Sequence, residues 1–190
     1  MRPSLLMRSW RTFLGALTVL LLTATVTACS PVRFVSGYDE QIDRGLTQLY
    51  ADTREFVDRM IALRGRPEGT YEPNADFYRS AIARVESFTF RAEANQAMAS
   101  CPSTALIGRA LAAAGLPDEV RQQVGAVPEG ECQVVLFRLM RGAFEDMRRL
   151  HQAQGARGIP ESARGPLLEG GVGSLMRGAM AVEIAKRGGQ

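Results

Sequence analysis

YDEQIDRGLTQLYADTREFVDRMIALRGRP, residues 38 to 67, decides the fold class of this chain by its spacing. Ile42, Leu46, Leu49, Tyr50, Thr53, Phe56, Val57, Met60 and Ile61 recur at steps of three and four, which places them on one face of a helix. Asp39 and Glu40 stand in the first turn, where the unpaired amides and the helix dipole favour negative charge. Arg64-Gly65-Arg66-Pro67 then supplies a basic last turn, a glycine and a proline that cannot continue the helix. The stretch predicts a helix over 38–64.

The same reading extends toward the C-terminus. A second helix is expected from near Pro73-Asn74 to about Ser100, with Phe77, Ala81, Val85, Phe88 and Ala92 as its seam, Tyr78 and Ile82 beside it, and Pro102 as its stop. Residues 103–125 predict two short helices, STALIGRALAAAG and PDEVRQQVG, separated at Gly115-Leu116-Pro117. A long helix follows over about 131–153, carrying Val134, Val135, Phe137, Leu139, Met140, Phe144, Met147 and Leu150. The last helix is expected over 161–187, but Gly165, Gly170, Gly171, Gly173 and Gly178 interrupt it. Each interior glycine costs about 1 kcal/mol relative to alanine, so the part up to Gly173 is expected to be irregular. No stretch alternates with period two. The expectation is an all-α, up-and-down four-helix bundle with a short helical insertion bracketed by Cys101 and Cys132.

Ahead of this domain, MRPSLLMRSWRT holds Arg2, Arg8 and Arg11 and no acid, and the sixteen residues 13–28 carry no charge. That run is shorter than the roughly 20 residues of a spanning helix and reads as a secretory signal. It ends in Val26-Thr27-Ala28-Cys29, which resembles the lipobox of bacterial lipoprotein precursors. The resemblance implies acylation of the Cys29 thiol (diacylglyceryl and palmitate chains), cleavage before Cys29, and a membrane held through those chains. The expected organisation is a signal over 1–28, a lipidated tether over 29–37 and one helical domain over 38–190. Two or three acyl chains hold a soluble domain without help from its surface. Ser30, in place of Asp, permits sorting to the outer membrane, facing the periplasm.

Removal of the signal changes the charge and the cysteine chemistry. The whole chain has 23 basic and 20 acidic residues, and three of the arginines leave with the signal. The remainder is neutral, with no basic run to serve as a nucleic-acid footprint. Cys101 and Cys132 are then the free thiols in an oxidising compartment, and a disulfide is their simplest fate. The chain-entropy model gives such a loop, of about 30 residues, roughly 3 to 4 kcal/mol. There is no CxxC, and one histidine cannot complete a common zinc set.

Other candidate chemistry reads as structural. His151, the only histidine, follows Arg148-Arg149 near a helix C-terminus, where a cation suits the dipole; there is no CxxCH and no pair of ExxH motifs for haem or di-iron. Methionines 60, 98, 140, 147, 176 and 180 fall at apolar helical positions, as gap-fillers rather than copper ligands. No GxSxG or SxxK is present, and the carboxylate pairs Asp39 with Asp43 and Glu145 with Asp146 read as solvated charge. Gly170, Ser174 and Gly178, four apart, form a small-residue stripe suited to close packing inside the bundle or, less simply, to a partner.

YDEQIDRGLTQL at 38–49, YEPNADFY at 71–78, RAEAN at 91–95 and EIAKRG at 183–188 resemble an uncharacterised group of proteobacterial secreted proteins and lipoproteins. The cysteine-bracketed stretch, about 97–131, departs from that group. The resemblance implies a small helical envelope protein and carries over no catalytic residue. The expected function is a lipid-anchored, non-catalytic bundle that binds or scaffolds an envelope protein, with no cofactor, no metal and no nucleic acid. A bundle that binds a small ligand or cofactor is the alternative, and an envelope enzyme comes third.

Overall fold

Asp39 opens the first helix from outside it. Its backbone is extended, at φ −104 and ψ 99, and its side chain accepts from the amides of Gln41 and Ile42, two of the donors that a helix start leaves without partners. In the computed structural model the described residues are 38–96, 104–125 and 132–188. Among them lie six α-helices and no strand: α1 Glu40–Ala62, α2 Ala75–Gln96, α3 Thr104–Ala113, α4 Asp118–Gly125, α5 Cys132–Gln154 and α6 Val172–Gly188. The expected signal, the tether with Cys29, and Cys101 lie outside the described residues. Of Cys132, only its place at the start of α5 is described.

Within the described residues, α1 through α5 lie where spacing places them; the expected end of the second helix near Ser100 and its stop at Pro102 lie outside those residues. α6 is shorter than expected. The glycine-rich stretch before it forms a 3₁₀ turn over Glu161–Ala163 and a π-helical turn over Pro166–Gly170, and regular α-helix begins only at Val172. The glycines weaken the helix here, and the carbonyl of Leu168 leaves no room for a side chain at Gly173.

Each long helix neighbours two others: α1 borders α2 and α6, and α5 borders α2 and α6. Neighbours run antiparallel. Glu86 pairs with Arg141 and Glu93 with Arg138 between α2 and α5, while Asp52 pairs with Arg84 and Phe56 stacks on Phe77 between α1 and α2. The core lies between these helices and contains Leu46, Val57, Met60, Val85, Phe137, Met140, Phe144 and Met176. α3 lies on the free side of α6. As a result α6 is covered almost all round, with Ser174 and Gly178 buried as well as Met176 and Val182.

The small residues make this covering possible. A β-carbon on Gly178 would stand 2.8 Å from the side chain of Leu116, which lies between α3 and α4, whereas one on Gly173 would meet the Leu168 carbonyl oxygen. A leucine side chain can rotate away and a backbone carbonyl cannot. Gly173→Ala is therefore expected to lower stability by about 2 kcal/mol or more, as overpacking does. Gly178→Ala should cost clearly less. Urea midpoints of the two variants check the order, and equal losses would contradict this account of the π-turn.

Candidate functional site: a polar clasp

The end of α6 carries a carboxylate and an ammonium with almost no exposed surface, Glu183 at 0% and Lys186 at 1%. They lie three residues apart on one helix face, with Lys186 Nζ 2.8 Å from Glu183 Oε1. Water is excluded, so the remaining donors and acceptors must come from other elements. Gln133, in the first turn of α5, donates its amide to Glu183 Oε1 and accepts from Lys186 Nζ. The backbone amide of Asp39 donates to Glu183 Oε2 at 2.9 Å. One buried carboxylate thus ties together the starts of α1 and α5 and the end of α6.

Asp39 joins the same group to α2. Besides capping α1, its carboxylate accepts from Arg91 Nη2 at 2.9 Å and from Asn95 Nδ2 at 3.0 Å. Burial works to raise the pKa of this carboxyl. The hydrogen bonds from Asn95, the Ile42 amide and Arg91 outweigh that and hold it below the usual carboxylate range. Next to it, the Tyr38 hydroxyl donates to Asp43 at 2.7 Å, Arg187 donates to the same carboxylate at 3.2 Å, and the Arg187 guanidinium lies 4.0 Å from the centre of the Tyr38 ring. The first two described residues are therefore fastened to α2 and α6.

A second polar link lies at the opposite end. His151 of α5 is fully buried; its Nε2 is 2.9 Å from the Gly69 carbonyl and its Nδ1 2.9 Å from the Tyr78 hydroxyl of α2. A carbonyl can only accept, so Nε2 carries the proton and Nδ1 accepts from Tyr78. Burial pushes the imidazole pKa down against the opposing effects of the Gly69 carbonyl and Glu72, and burial likewise pushes the Tyr78 hydroxyl up.

Spacing alone reads Asp39 as solvated charge and His151 as a cation at a helix end. Asp39 is 8% exposed and His151 not at all, because neighbouring elements supply hydrogen bonds that replace water. His151 is thus a neutral link and not a cation at a helix end. The small-residue stripe divides. Ser174 is buried and donates to the Gly170 and Gly171 carbonyls, and Gly178 is buried under Leu116, while Gly170 is exposed in the π-turn. Glu183, Lys186 and Arg91 enter the sequence reading only inside the stretches EIAKRG and RAEAN, with no role assigned, and Gln133 does not enter it. A signal existed: Met176, Ala179 and Glu183 share one helical phase, as do Val182 and Lys186, so the apolar seam of α6 runs on into its two charges.

The carboxylates of this clasp are occupied by donors from several elements, so the arrangement holds backbone ends together and offers no unengaged acid or base. Among the described residues, no group of three or more His, Cys, Asp and Glu side chains is placed to hold a metal ion, and no helix is long and apolar enough to cross a membrane. Compared with protein-family models, curated proteins and solved structures, the chain matches none.

Lys186→Met leaves a buried carboxylate without its cation and is expected to cost about 3 to 5 kcal/mol. In the Glu183→Gln, Lys186→Met double variant the new amide's oxygen accepts from the Asp39 backbone amide and its NH2 donates to the Gln133 oxygen, which Lys186 no longer occupies, so stability should recover by at least about 1 kcal/mol. Losses that simply add would mean that the pair is not coupled.

For His151 the folded pKa lies below the ordinary value of 6.5, so the unfolded chain takes up the proton first as pH falls. The stability it contributes is complete above pH 6.5 and is lost as pH falls from there through the lower folded value. Urea unfolding across that window should show an acid slope that His151→Gln removes. An unchanged slope in the variant would place the titrating group elsewhere.

Proposed function

We propose that the chain is a lipid-anchored periplasmic protein, held at the outer membrane through Cys29, whose helical domain binds or scaffolds an envelope protein without catalysing a reaction. The observation that carries this reading is the fastening of Tyr38 and Asp39 to α2 and α6. Eight residues lie between Cys29 and Tyr38, so nine backbone steps join them. Even fully extended they span only about 30 Å, so the clasp would sit close to the bilayer. A pull on such a tether would reach Tyr38 and then Asp39, and be shared by three further helices through Arg91, Glu183 and Gln133. The clasp is built to hold, which suits a scaffold.

The same proposal takes α1, α2, α5 and α6 as an up-and-down four-helix bundle, with α3 and α4 as an insertion closed by a Cys101 to Cys132 disulfide. The ring of neighbours supports the first part. For the second, the support is that α2 and α5 run antiparallel, so that the last turn of α2 points toward the start of α5, where Cys132 stands, and Cys101 follows Gln96 by five residues in sequence. The alternative, a bundle that binds a small ligand, is favoured by one feature, the cleft between α1 and α2.

Mass spectrometry of protein extracted from membranes tests the anchor and the pairing together. The expected species lacks residues 1–28, carries acyl chains on Cys29, and shows two thiols only after reduction. Cys29→Ser should remain an unprocessed precursor. An intact N-terminus on the wild-type chain would overturn the anchor, and thiols free before reduction would overturn the disulfide. For the scaffold, crosslinking in intact cells should join one envelope protein to the wild-type chain and not to Cys29→Ser. Stoichiometric haem or metal in the isolated protein would defeat it.

A further inference from the structure

The cleft between α1 and α2 measures about 220 Å³. Its floor is apolar: Leu49 and Phe56 from α1, and Phe77 and Ala81 from α2. The Phe56 and Phe77 rings lie parallel, with centres 3.7 Å apart. The cleft exists because α2 presents Ser80 and Ala81 here, side chains too short to reach α1.

Four charged residues line the cleft, and they are not equivalent. Asp52 and Arg84 meet across it at 2.5 Å, and that hydrogen bond from Arg84 holds the Asp52 carboxyl below its ordinary range. Glu55 and Arg59 stand one turn apart on α1, yet among the described residues neither takes part in an ion pair. Instead the Arg59 guanidinium lies over the Phe56 ring, 5.7 Å from its centre. The cleft therefore has an apolar floor with one negative and one positive group that pair with nothing among the described residues, carried four residues apart on α1, a rise of about 6 Å along the helix.

We propose that this cleft binds one free amino acid with an apolar side chain. The side chain lies on the Phe56 and Phe77 floor, Arg59 takes the α-carboxylate, and Glu55 takes the α-ammonium. The charges select this class: a simple carboxylic acid would face Glu55 and a simple amine would face Arg59, each at a cost, whereas a zwitterion satisfies both. The volume suits a ligand of this size and is smaller than the 300 to 1,000 Å³ typical of sites for larger organic molecules. The site lies away from the clasp and does not depend on the anchoring of Cys29.

Equilibrium dialysis of the full chain in detergent, with radiolabelled L-phenylalanine and L-leucine as probes, tests it. The expected result is saturable binding of one equivalent, with N-acetylphenylalanine and phenylalaninamide failing to compete. Arg59→Gln and Glu55→Gln should each weaken binding about tenfold or more, the effect of losing one charge-assisted hydrogen bond. Ser80→Trp, a change at an exposed position that fills the cleft, should abolish binding while the helical circular dichroism stays unchanged. No saturable binding of either amino acid overturns the proposal, as does binding that none of the three variants alters. Equal competition by the blocked derivatives overturns the zwitterion requirement.

Discussion

An ionised carboxylate with no exposed surface has to find its partners inside the protein, and the Glu183 carboxylate does so by drawing on three separate parts of the chain. Removing such a group from water costs several kcal/mol, which only well-placed donors offset. Lys186 supplies the opposite charge from the same helix, Gln133 an amide from the start of α5, and Asp39 a backbone amide from the start of α1. That last donor lies just ahead of a helix, where backbone amides lack an intrahelical partner, so one contact answers two unmet demands. Asp39 then passes the link to α2 through Arg91 and Asn95.

The other end of the molecule is organised in the same way with neutral groups. His151 holds the Gly69 carbonyl on one nitrogen and the Tyr78 hydroxyl on the other, joining α5, α2 and the link that follows α1. Apolar burial is non-directional and proportional to area, so by itself it selects a register less sharply than directed bonds do. Hydrogen-bonded pairs are directional: sliding α5 along α2 by one turn would part His151 from Tyr78 and Gln133 from Glu183. The apolar seams bring the helices together, and these two polar groups fix their register.

The elements were legible in the sequence where one periodicity ran without interruption, as it does from Ile42 to Ile61. They were least legible across 161–171, where glycines leave the backbone to be set by its neighbours and π-helical geometry results. Charge was the blind spot. A reading by periodicity assigns apolar residues to the interior and charges to water; it gives Glu183, Lys186 and Arg91 no role, leaves Asp39 as solvated charge and makes His151 a cation at a helix end. All but Arg91 are buried, yet Glu183, Lys186 and His151 lie in phase with the apolar seams of their helices. A charge in phase with a seam marks a buried partner somewhere else in the chain.

Periodicity and punctuation alone determined that this is a helical protein and where α1 to α5 lie, because those properties follow from residues three and four apart. The N-terminal pattern that ends at Cys29 is likewise local and needs no fold to be read. Tertiary structure decided which charges lie inside, that α6 is enclosed on nearly all sides, and that Tyr38 and Asp39 are fastened to α2 and α6. Those outcomes depend on residues separated by as many as 144 positions, as Asp39 is from Glu183. No local window contains both halves of such a contact, and the hydrogen bonds that replace water around Glu183 exist only once both are in place.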